Sequence, residues 1–163
     1  MMNEEIISAA ERLVRSLAEE QKTIATAESC TGGMIGQSLT SVPGASRVYG
    51  FGFITYANEA KERLLGVEHE TLLSHGAVSP ETAREMAQGA RRVSGADIAV
   101  AVTGIAGPGG GTPEKPVGLV YVGISSGHGT RAVRLGLGGS RDEIRRRTVL
   151  CALDLVMEEL KKS

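Results

Sequence analysis

The sequence predicts an α/β protein: a three-layer α/β/α sandwich around a mixed β-sheet, in a single domain. Three observations carry this. Helical and strand periodicities alternate through the first two thirds of the chain, the pattern that sets helices on both faces of a sheet. Two late apolar runs are separated by the turn sequence Ser126-Gly127-His128-Gly129, so an antiparallel hairpin joins that sheet. The 163 residues suit one domain with a real core, and no repeat, linker or composition break divides them.

Each element has its own signal. Ile6, Ile7, Ala10, Leu13, Val14 and Leu17 recur at three- and four-residue steps, an amphipathic helix over 4–20. Residues 23–27 read as a short buried strand. A tightly packed helix is expected over 31–39, opened by Gly32-Gly33 and stopped before Pro43-Gly44. The next strand, 48–56, is weakened by Gly50 and Gly52, which point to a bulge or a close approach. Residues 57–65 read as a helix ended by Gly66. Ser79-Pro80-Glu81 combines a cap, a first-turn proline and an acid at the positive end of the dipole, so a helix starts there and runs to Val93. A strand over 97–102 leads into a Gly- and Pro-rich loop over 104–116. Strands over 117–125 and 130–137 form the hairpin. Ser140 then caps a last helix to Leu160, with Asp142 and Glu143 in its first turn.

Composition narrows the function. Hydrophobic residues make up 41% and charged residues 23%, an ordinary globular balance. The apolar runs are far shorter than the roughly 20 residues of a membrane span. The opening MMNEEIISAAERL is acidic and amphipathic, unlike a signal peptide, so a cytoplasmic location is expected. A net charge of −1 and the absence of Trp argue against nucleic acid as a partner. Cys30 and Cys151 lie far apart, and His69, His75 and His128 show no ligand spacing, so no metal and no disulfide framework is expected.

Three segments place polar residues where a strand ends, the usual location of sites in open α/β sheets. In Ala27-Glu28-Ser29-Cys30-Thr31-Gly32-Gly33, Ser29 lies at a strand-to-helix turn whose N–H groups suit an oxyanion hole. A helix cap at Ser29 or Thr31 explains the same residues. The segment is not the G-x-S-x-G elbow, since positions 27 and 31 are Ala and Thr. A serine nucleophile needs a base, and a buried lysine can serve. Thr55-Tyr56-Ala57-Asn58-Glu59-Ala60-Lys61 supplies one, although a solvated helix lysine fits the spacing equally well. Thr103-Gly104-Ile105-Ala106-Gly107-Pro108 opens a glycine loop able to wrap an anion, or a plain surface turn; it has neither P-loop nor G-x-G-x-x-G spacing. Arg141 and Arg145 lie one helical turn apart, as a phosphate fork or as a solvated face.

Taken together with His75-Gly76-Ala77-Val78-Ser79 and Lys115-Pro116-Val117-Gly118, these segments resemble the C-terminal domain of the competence/damage-inducible CinA family and its stand-alone relatives, the nicotinamide-nucleotide amidases. The resemblance runs from residue 5 to 160. It implies hydrolysis of nicotinamide mononucleotide to nicotinic acid mononucleotide and ammonia, with no cofactor. On the matching positions it implies Ser29 as nucleophile, Lys61 as base and Tyr56 as relay or orienting group. Thr31, Gly32, Thr103, Gly104, Gly107, Arg141 and Arg145 are then the candidates for substrate binding, with N–H groups at the head of the 31–39 helix holding the oxyanion. With few residues before the first strand, the chain resembles the single-domain form, and a homodimer or higher homo-oligomer is expected. Two departures, the extra glycine in Tyr49-Gly50-Phe51-Gly52-Phe53 and the glycines at 109–111, bear on substrate fit and not on the catalytic pair. Two other functions fit the chain: a non-catalytic binding or regulatory module, and an amidase for another small amide.

Overall fold

The computed structural model describes residues 3–162. Among them one five-stranded sheet runs in the order β2-β1-β3-β4-β5. Its strands are β1 (Ile24–Glu28), β2 (Tyr49–Ile54), β3 (Ile98–Gly104), β4 (Leu119–Ser126) and β5 (Gly129–Gly136). β1 pairs in parallel with β2 and β3, while β4 pairs antiparallel with β3 and β5. The sheet is therefore mixed, and its antiparallel part is the expected hairpin, closed by Gly127-His128 between Ser126 and Gly129.

Six α-helices cover it: α1 (Glu4–Glu19), α2 (Met34–Thr40), α3 (Asn58–Leu65), α4 (His69–His75), α5 (Pro80–Ser94) and α6 (Arg141–Leu160). The strand pleat sorts side chains between the two faces. Ile98, Val100 and Val102 of β3 join a core with α1, α2 and α6, whereas Ala99 and Ala101 join a second core with residues of α3, α4 and α5. Large residues fill the first face. Small ones on the second let α5 lie close to the sheet, and a Cβ on Gly123 would meet the Ala83 carbonyl oxygen at 2.2 Å. A similar close approach fixes α3, since a Cβ on Gly89 of α5 would meet the Leu65 carbonyl oxygen at 1.9 Å.

Most element ends shift by one or two residues, and two elements depart further from expectation. The helix expected from Thr31 begins at Met34, behind an N-terminal turn whose last residue, Gly33, is left-handed (φ 110°). Neither Ser29 nor Thr31 caps it. The short helix α4 carries only Leu72 as a buried residue, too little apolar periodicity to mark a helix in the sequence.

Candidate active site

Ser29 follows directly on β1, and its N–H donates to the Val102 carbonyl of β3 at 3.0 Å. The parallel pairing of β1 with its neighbours thus carries the serine to the carboxyl ends of the strands, where the chain turns towards α2. α3, seated against α5, delivers Lys61 to the same place. Lys61 is only 1% exposed, so the solvated-helix alternative does not hold. Its Nζ donates to Ser29 Oγ (3.1 Å), to the Thr55 carbonyl (2.8 Å) and to the Tyr56 carbonyl (3.3 Å).

That triplet has a chemical consequence. Carbonyls only accept, so a neutral amine spends its two N–H bonds on Thr55 and Tyr56 and turns its lone pair to the Ser29 hydroxyl. Burial pushes the Lys61 ammonium below its ordinary range, against a smaller opposing influence of Cys30. Cys30 itself lines the cavity beside Ser29, but burial pushes its thiol up to about 11. It is a protonated neighbour at neutral pH, and the hydroxyl is the nucleophile this geometry favours.

The head of α2 is arranged differently from expectation. Glu28, 2% exposed, turns its carboxylate back onto it. It accepts from Thr31 Oγ1 (2.6 Å) and from the N–H groups of Gly33 (3.2 Å), Ile35 (2.9 Å) and Gly36 (3.0 Å). The α2 donors expected to hold an oxyanion are therefore occupied by a resident anion. Among the described residues, the N–H groups of Cys30 and Thr31 are the two in this turn without a partner on another residue. Glu28 received no role from the sequence; its signal was a lone charge ending the apolar run of β1.

A cavity of about 210 Å³ opens in front of the pair. Tyr56 stands at its rim, 65% exposed. Thr103 and Gly104 line it, but the Thr103 hydroxyl is spent on the Ala77 carbonyl at 2.8 Å. That bond, with Lys115 Nζ donating to the His75 carbonyl at 2.6 Å, pins the segment 75–79, whose Ala77 and Val78 form a wall. The family resemblance runs through this segment without implying a role for it. A larger cavity of about 490 Å³, with Gln88, Arg91 and Ser125 in its lining, lies at the amino end of β3, away from the Ser29–Lys61 pair. Chemistry, not size, selects the site.

The other candidates separate. Arg141 reaches the cavity, with Nη1 on the Gly107 carbonyl (2.7 Å) and Nη2 near the Tyr56 hydroxyl (3.4 Å). Gly107 thus holds Arg141 and does not itself line the cavity. Arg145, Thr31 and Gly32 do not line it either. The Thr31 hydroxyl is buried against Glu28, and Arg145 donates to the carbonyls of Cys30 (3.0 Å) and Thr31 (3.2 Å). The expected two-arginine fork is split: Arg141 faces the cavity and Arg145 the backbone of the serine turn. Among the described residues no group of three or more His, Cys, Asp or Glu is placed to hold a metal ion, and no helix is long and apolar enough to cross a membrane.

The family model of the CinA C-terminal domain matches residues 6–160. A protein of Caldanaerobacter subterraneus subsp. tengcongensis named for competence-damage induction is 52% identical over 151 residues. A CinA-like protein of Anaeromyxobacter sp. is 51% identical over 151 residues. Each alignment takes in 93% of this chain and 37% of the relative, so the chain spans little more than a third of their length. Among solved structures, a competence/damage inducible protein of Agrobacterium tumefaciens superposes with a TM-score of 0.95 at 45% identity, covering 99% of this chain and 98% of that one. A CinA superfamily protein of Klebsiella pneumoniae gives 0.93 at 32% identity, covering 97% and 99%.

Proposed function

The chain belongs to the CinA C-terminal domain family, and from that premise we propose that it hydrolyses the carboxamide of nicotinamide mononucleotide to nicotinic acid mononucleotide and ammonia. The observation that carries the reading is a buried lysine amine 3.1 Å from a serine hydroxyl, its other contacts being two backbone carbonyls.

In this mechanism neutral Lys61 takes the proton of Ser29 Oγ as that oxygen attacks the carboxamide carbon. The carbonyl π electrons move to oxygen, giving a tetrahedral oxyanion. On its collapse the C–N bond breaks, and the nitrogen leaves as ammonia with the proton held by Lys61. Water, deprotonated by the same amine, then attacks the acyl-enzyme, and Ser29 regains its proton as the carboxylate departs. Tyr56 and Arg141, together at the rim, orient the part of the substrate outside the cavity.

The cavity volume favours that division. Pockets that enclose a whole ligand hold roughly 300–1,000 Å³, and about 210 Å³ takes an amide-bearing ring while sugar and phosphate extend past Arg141. The same volume supports a second reading, an amidase for a smaller amide. Ammonia release from the mononucleotide, its riboside and free nicotinamide tests both. Preference for the mononucleotide supports the first reading, equal or better turnover of free nicotinamide supports the second, and no release from any of the three points to a non-catalytic binding role.

A further inference from the structure

α6 sends two arginines towards the site, and their contacts differ in kind. Arg141 enters the cavity. Arg145, one turn deeper and half-buried, places Nε on the Cys30 carbonyl and Nη2 on the Thr31 carbonyl. The Cys30–Thr31 peptide is trans, as among the described residues the cis bond is Gly107–Pro108. In a trans peptide C=O and N–H point in opposite directions. A cation that fixes the Cys30 carbonyl therefore fixes the direction of the Thr31 N–H, pointing it away from Arg145. It also polarises the peptide, which strengthens that N–H as a donor. The next plane is already committed, because the Gly32 N–H donates to the Ser29 carbonyl at 3.1 Å. Glu28 holds the turn from the other side through the Thr31 hydroxyl and the Gly33 N–H. Thr31 is not itself part of the cavity lining, but its N–H remains without an acceptor among the described residues and belongs to the peptide that follows Cys30, which lines the cavity beside Ser29.

We infer that Arg145 is a positioning residue that aims and polarises the Thr31 N–H as a donor to the oxyanion formed on attack by Ser29, and that it is not a ligand of the substrate phosphate. The inference rests on the amidase reading above. Its ligand is the developing oxyanion of any acyl centre that Ser29 attacks, so it applies to nucleotide and riboside alike.

The test uses Arg145→Lys and Arg145→Gln in the full chain, with steady-state kinetics on mononucleotide and riboside and the rate of Ser29 phosphonylation by a fluorophosphonate. The lysine variant keeps the charge and most of the alkyl stem but loses the two-pronged contact. Reactions are run well below the melting temperature of each variant. The expected result is a fall in kcat of about 100-fold for both substrates, the range for loss of one oxyanion donor, with KM within about threefold. Phosphonylation should slow by at least about tenfold. A KM raised for the mononucleotide alone with kcat intact would make Arg145 a phosphate ligand and overturn the inference. So would phosphonylation at the wild-type rate. A wild type that releases no ammonia from the mononucleotide but is phosphonylated at Ser29 sinks the substrate assignment only, and the labelling rates of the variants then decide Arg145. A wild-type Ser29 that resists the reagent overturns both.

Discussion

Ser29 and Lys61 each look ordinary alone, and their chemistry lies in 3.1 Å of separation and in burial. Ser29→Ala should remove ammonia release by at least about a thousand-fold, the scale of losing a nucleophile, while the far-UV circular dichroism stays unchanged. Retention of more than a tenth of the rate would rule out covalent catalysis by Ser29. For Lys61 the sign of the pH effect follows from its depressed pKa. The rate should rise with pH as the ammonium loses its proton, with an apparent pKa below the ordinary 10.5. Lys61→Arg, which keeps its proton, should be nearly inactive across that range. Stability follows the same proton. Between the depressed folded value and 10.5 the unfolded chain binds more protons than the folded one, so stability rises with pH. Denaturant titrations should show wild type gaining on Lys61→Met as pH climbs through that window. A gap independent of pH would mean that Lys61 is not perturbed by folding.

α2 shows how an element is held by something outside it. Its seven residues are too few to form a stable helix alone, and its N-cap, Gly33, offers no side chain. The Glu28 carboxylate performs the capping from the preceding strand, with three N–H donors and one hydroxyl on its two oxygens. Negative charge at a helix N-terminus is favourable, and hydrogen bonds to a charged acceptor contribute more than neutral ones. Glu28→Gln replaces one oxygen by an amide donor facing donors. It should lower stability by about 1.5–3 kcal/mol, measured by urea unfolding, and slow Ser29 phosphonylation by loosening the turn. Equal stability of Glu28→Gln and wild type would show that α2 is held by its packing alone.

Across the whole molecule the site draws on the end of β1, α3, the segment 75–79, the loop after β3 and the head of α6. These meet because one sheet separates two cores, and the parallel run of β1, β2 and β3 brings their carboxyl ends to the same side. The small-residue face makes the spacing of α5 a global parameter. Gly123→Ala would drive a Cβ towards the Ala83 carbonyl, 2.2 Å away. Overpacking of this kind costs about 1–3 kcal/mol, and urea unfolding by circular dichroism should report it as a lower midpoint with an unchanged slope. A split transition would instead mean that the two faces unfold separately.

Nearly every element was legible in the sequence, because helix and strand periods, the Ser79 and Ser140 caps and the Gly127-His128 turn are local signals. So were Ser29, Tyr56 and Lys61 as residues of a recognisable family pattern. The sequence could not choose between a capping and a nucleophilic serine, or between a solvated and a buried lysine, since both pairs of alternatives share one spacing. Tertiary structure buries the lysine and places the α2 cap at Gly33 and not at Ser29. Burial of Lys61 against two carbonyls and a hydroxyl depends on α3 packing on α5, over residues distant in the chain. Glu28 was left without a role, and Arg145 was paired with Arg141, for the same reason. A carboxylate reads as a solvated charge until the chain turns its own amides onto it, and two arginines one turn apart read as a fork. Only the placement of α6 against the serine turn puts Arg141 in the cavity and Arg145 on the backbone, because hydrogen bonds between residues 114 and 115 positions apart leave no trace in local spacing.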